Sequence, residues 1–139
     1  MGKDSAGRNA LGRCIRLNPD DSSPHVDLAH HYHSNNLSVP RAIKHFDKAL
    51  EIGQPDPLLP LVLADCHARL GNFQTAADLM ESTLEATGFK ALNSLISLGI
   101  IQRLADREDR STKTFEKALK TIQELIGDKD KNDVAYTDV

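Results

Sequence analysis

No apolar run in this chain of 139 residues approaches the roughly 18 that would suggest a membrane span. The N-terminus also lacks the apolar core of a signal peptide. It begins Met1-Gly2, but Ala6 stands where an N-myristoylation pattern needs Ser or Thr, which excludes that anchor. Neither charge sign dominates: 17 basic and 20 acidic residues leave a net charge of -3. That balance gives no electrostatic reason to expect nucleic acid. Cysteine is scarce. Cys14 and Cys66 make neither a metal-type pair nor a disulfide framework. Each falls on an apolar helical stripe, where a free thiol acts as a small hydrophobe. The length allows one domain. These absences predict a soluble, reduced, cytoplasmic protein with neither a membrane nor a nucleic-acid partner.

The groups that chemistry needs are missing in the same way. The glycines are scattered as helix terminators and packing sites, and form no phosphate-cradling loop. Ser94 and Ser97 lie in helical segments without the context of a nucleophile elbow. The acidic pair Glu108-Asp109 sits at a helix start, where it favours the helix dipole. An enzyme is not expected, and neither is a cofactor.

What the chain does contain is a repeat. In "AIKHFDKALEI", Ala42 and Ala49 bracket one ring, Phe46, a pattern suited to a close neighbouring helix. Phe46 corresponds to Leu11, Met80 and Phe115 at steps of 35, 34 and 35 residues. Ala49 corresponds by the same steps to Cys14, Thr83 and Ala118, and Ala42 to Gly7, Ala76 and Ser111. Between them run Leu28, Leu63 and Leu98, each followed by a small residue: Ala29, Ala64 and Gly99. Three positions after that small residue stand Tyr32, His67 and Gln102. A period near 34 with two helical segments per unit is the signature of a helical solenoid.

The punctuation agrees. Gly71 stands where a glycine can take the left-handed conformation that closes a helix, and Asn36 and Asp106, which tolerate it next best, stand near that point in the other units. Tyr32 to Ala42 is 10 residues where His67 to Ala76 and Gln102 to Ser111 are 9, so the first unit has one extra residue in its turn. Pro19, Pro24, Pro55 and Pro57 fall between units. The pattern predicts helices over about 4–17, 24–35, 39–53, 57–70, 73–87, 89–105 and 108–126.

The unit from Leu61 to Ala86 resembles a tetratricopeptide repeat, through Leu63-Ala64, His67, Gly71, Phe73, Ala76, Met80 and Thr83. His67 and Thr83 depart from the aromatic and the alanine usual there. Asn18-Pro19 resembles the end of a repeat, and the resemblance spans about 7–126. It implies an all-α, right-handed α-α superhelix of about three helix-turn-helix repeats preceded by a half repeat. The expected domain is 4–126, with 127–139 a charged, disordered tail. The implied function is a protein–protein interaction scaffold or adaptor that holds a peptide or helix in its concave groove. Carried over by register, the groove residues are Val26, His30 and His33, then Leu61, Asp65 and Arg69, then Ile96, Ile100 and Arg103, with Leu58 and Asn93 at the edge. Val26, Leu61, Ile96 and Ile100 make an apolar strip, readable either as groove or as inter-repeat core.

Members of this family that hold acidic chaperone tails use a Lys, Asn and Arg clamp on these inner positions. This chain has Val26, His30, Leu61, Asp65, Ile96 and Ile100 instead, so such a tail is not the expected partner. Asp27, His30 and His33 share a helical face and with Asp65 or His67 could offer metal ligands. Polar groove residues are the simpler reading, and no metal is expected.

The first helical segment reads as a second helix without its first, with Leu11, Cys14, Ile15 and Leu17 covered on one side only. Either the chain is excised from a longer solenoid, the favoured reading, or this face meets another copy as a homo-oligomer. The terminal Thr137-Asp138-Val139 resembles a PDZ-domain ligand.

Overall fold

The structure is a computed structural model that describes residues 2–35, 37–53, 56–88 and 90–137, with side chains between 5 and 129 inside those ranges. The described residues form α1 (Gly2–Leu17), α2 (Ser23–Ser34), α3 (Val39–Ile52), α4 (Leu59–Arg69), α5 (Phe73–Thr87), α6 (Leu92–Leu104) and α7 (Glu108–Thr137). Prolines open three of them, Pro24 in α2, Pro40 in α3 and Pro60 in α4, at positions where a missing N–H costs no intrahelical bond. By internal contact the chain divides into a first unit, Met1–Thr83, and a second, Leu84–Val139.

The repeat register explains how the turns are built. Three helices close with the same long backbone bond: Leu37 N–H to Tyr32 C=O (3.1 Å), Asn72 N–H to His67 C=O (2.9 Å) and Arg107 N–H to Gln102 C=O (2.8 Å). The acceptors are the Tyr32, His67 and Gln102 set found in the sequence. Gly71 and Asp106 take the left-handed conformation inside two of these closures, at φ 80° and 58°. Asn36 lies outside the described residues.

The extra residue of the first turn is also accounted for. Asn72 and Arg107 close one helix and directly precede the next, whose early turns bond back to them (Ala76 N–H to Asn72 C=O, Ser111 N–H to Arg107 C=O). In the first turn these two duties are split: Leu37 closes α2 and Ser38 caps α3, its hydroxyl accepting from Arg41 N–H at 3.3 Å.

In the first unit α2 packs on α3, α3 on α4 and α1 on α2. Its core joins Ala29 of α2, Ala42, Phe46 and Ala49 of α3, and Leu59, Leu63 and Cys66 of α4. Ala42 and Ala49 are fully buried, and Phe46 between them fills the space they leave. In the second unit α6 packs on α7. Leu95, Leu98 and Gly99 are buried, and the Ser111 hydroxyl donates to Gly99 C=O at 2.7 Å.

Two expectations need correction. Cys66 is buried, but Cys14 is exposed: α1 meets α2 along another part of its surface. And α7 continues past 126, so residues 127–137 are helical where a disordered tail is expected. No proline occurs after Pro60, so none interrupts the helix there. Asp138 and Val139 lie outside the described residues.

Candidate functional site

The carried-over residues are positioned by two different local structures. In the first unit His33 Nε2 donates to Asp65 Oδ2 at 2.7 Å, tying α2 to α4. Arg69, one turn further along α4, forms an ion pair with the same oxygen, Nε lying 3.0 Å from it. The Asp65 carboxylate therefore lies between His33 and Arg69, and its charge is partly balanced within the chain. Leu61, one turn before Asp65, is half-buried. Val26 is half-buried and packs against the core, so it takes the core reading at least in part. His30 sets its ring edge-on to Phe46, with centroids 5.2 Å apart at 85°.

In the second unit Ile96, Ile100 and Arg103 recur at helical spacing along one side of α6. Ile96 is 37% and Ile100 49% exposed, while Leu95, Leu98, Gly99 and Gln102 are buried, Gly99 and Gln102 in contact with Ser111 and Thr114 of α7. This stripe is an apolar surface with a guanidinium at its end.

The histidines do not converge as ligands. His30 turns to Phe46, His33 to Asp65, and Asp27 is exposed. Among the described residues no group of three or more His, Cys, Asp or Glu could hold a metal. Burial, with Asp65 beside it, pushes the Cys66 thiol up to about 11. The thiol is thus poorly suited to nucleophilic work.

A second cluster escapes the sequence reading. His25 Nδ1 and His45 Nδ1 are 3.1 Å apart across the α2–α3 contact, and Tyr32 stacks on His45 at 6.0 Å and 7°. Arg41 lies over the Tyr32 ring at 5.8 Å. The available signal was the register itself: His25 corresponds to Pro60 and Leu95, and His45 to Leu79 and Thr114. Titratable rings stand at places filled otherwise in the other units.

No protein-family model matches the chain, and no curated protein matches it. Solved structures do. It is similar to MamA with TM-score 0.73 at 15% identity, over 86% of this chain and 68% of that one. It is similar to MamA residues 41-end from Desulfovibrio magneticus RS-1 with TM-score 0.65 at 16% identity, over 86% and 76%. YrrB, described as a TPR protein with an unusual peptide-binding site, aligns with TM-score 0.65 at 22% identity, over 80% of this chain and 56% of YrrB. At these identities the likeness concerns the fold, and it agrees with the repeat register, the three equivalent helix closures and the small-residue contacts described above. The chain has the tetratricopeptide-repeat fold.

Proposed function

We propose that this protein is a non-catalytic protein–protein interaction module that binds a peptide or helix through the exposed side of α6 in the second unit and, taken by itself, the α2–α4 side of the first. The carrying observation is the Ile96–Ile100–Arg103 stripe, apolar and exposed on a helix whose other side is packed. Apolar anchors supply affinity in such sites, and flanking polar groups set register. The His33–Asp65–Arg69 group supports the same reading, as a ready-formed polar contact beside Leu61. YrrB's peptide-binding site makes a peptide a reasonable class of ligand. No helix among the described residues is long and apolar enough to cross a membrane. A cytoplasmic location fits that feature.

The test is Ile100→Asp, read by capture of partner from native extract and by thermal melting. A buried charge against an apolar ligand weakens binding by a few kcal/mol, enough to abolish a micromolar complex. Lost capture with a preserved melt is the expected result. A collapsed melt would make Ile100 core, and preserved capture with a preserved melt would move the site elsewhere.

A second reading rests on α1. Leu17 is 86% exposed there, with Leu11 and Ile15 half-buried, a surface on which copies of the chain could self-associate as a structural assembly module.

A further inference from the structure

All six histidines fall between His25 and His67, inside the first unit, and the second unit has none. Two of them, His25 of α2 and His45 of α3, form the 3.1 Å pair across the helix contact. His25 is buried, and the rings are tilted at 35° with centroids 5.4 Å apart. In such a pair one Nδ1–H donates and the other Nδ1 accepts. A first added proton can go to the donor ring and leave the bond intact. A second must go to the accepting Nδ1, which removes the lone pair and places two imidazolium N–H groups against each other.

The groups that act on the pair are mostly cationic. From α3, Lys48, itself paired with Glu51 at 3.4 Å, acts on His25, and Lys44 acts on His45, while Arg41 covers the Tyr32 ring that stacks on His45. His31 of α2 sits 6.0 Å from the same Tyr32 ring. On α4, Asp65 is engaged by His33 and Arg69, and His67 acts on Asp47. On α1 the arginines Arg8, Arg13 and Arg16 line a depression of about 390 Å³ on that helix's own surface. Burial first, then Lys48 for His25, and the His25 ring and Lys44 for His45, hold both imidazoles below their ordinary range.

We infer that the His25–His45 pair is an acid-sensitive latch: α2 closes on α3 through the neutral pair, and protonation of both rings loosens α2. The helix released carries Val26, His30 and His33, so acid would weaken ligand binding in the first unit. That consequence rests on the groove reading, but the latch itself does not.

The experiment is amide hydrogen exchange on the free full chain at pH 7.5 and 5.5, corrected for intrinsic rates, with α6–α7 as the internal reference. Two protons taken up on opening should increase α2–α3 opening by about ten- to a hundredfold at the lower pH, relative to α6–α7. His45→Asn keeps a hydrogen-bonding group near the Nδ1 position and does not titrate, so it should remove most of that response. His25→Asn serves if His45→Asn fails to fold. Direct NMR titration of the wild-type imidazoles should show both titrating below the ordinary value. Unchanged relative protection, a response that survives either Asn variant, or ordinary imidazole titration would each overturn the latch. Because no ligand is used, failure here leaves the Ile100 test of the groove untouched.

Discussion

Gly99 has no side chain, and a Cβ there would lie 2.7, 2.8 and 3.0 Å from the Cζ, Cε1 and Cε2 atoms of Phe115. The ring is wedged between α6 and α7 and cannot move as the tip of a flexible chain would. Gly99→Ala should therefore overpack the contact, costing about 1–3 kcal/mol despite the helix propensity alanine adds. A chemical-denaturation midpoint at or above the wild-type value would show that Phe115 has room to shift. The cysteines differ at the same scale. Cys14 is exposed, whereas Cys66 is buried with its thiol pushed up to about 11. One thiol should react quickly with a disulfide reagent at pH 8 in the native chain, and Cys14→Ser should remove it. Cys66 should react only as the fold opens.

Among the helices, α3 depends on an added residue and α5 on a small one. Ser38 exists as a separate cap because the first turn is one residue longer, and its hydroxyl satisfies Arg41 N–H. Ser38→Ala should cost about 1 kcal/mol by urea denaturation, and Ser38→Asp should recover most of it. Ala76 of α5 is fully buried at the position equivalent to Ala42 and Ser111. Ala76→Leu should cost about 1–3 kcal/mol, and an unchanged midpoint would mean the register is wrong there. Between α6 and α7 the contact is partly polar: the Thr114 hydroxyl donates to Gln102 Oε1 at 2.6 Å, where an aliphatic pair would have served packing alone.

For the whole molecule, the two lowered imidazoles fix the sign of the pH dependence. Each binds fewer protons folded than unfolded, so its stabilising effect is complete above the ordinary histidine value of 6.5 and is lost as pH falls below it. Asp47 runs the other way: burial raises its carboxyl from the ordinary 3.8, so its ionised form is unfavourable to the fold and protonation relieves it as pH falls. Melting temperature should thus fall between pH 7 and pH 5. A flat profile there would mean that the imidazoles carry no net linkage. Self-association is read at this scale too. If copies meet through α1, sedimentation at rising concentration should show larger species, and Leu17→Lys should remove them. A concentration-independent monomer would leave the α1 surface without that role.

Periodicity alone determined the fold, because a period near 34 constrains every helix at once and each Gly71-like closure repeats at a fixed offset. Leu28, Leu63 and Leu98 with their small neighbours specify which helix faces must touch, and those residues are buried. The proposed groove residues were legible only as register: Ile96, Ile100 and Arg103 share a side of α6, but sequence cannot say how much of each is exposed. That depends on what packs on the opposite face. Val26 shows the limit, since the position equivalent to a groove residue also leans on the core. His33 and Asp65 were each visible as polar groove residues, yet their bond joins groups 32 residues apart and needs α2 and α4 side by side. The His25–His45 contact depends in the same way on two helices meeting, as a local pattern shows the odd residue but not its partner. Tertiary packing decided these pairings, because distance between side chains on different helices is set by how the helices pack and not by their spacing along the chain.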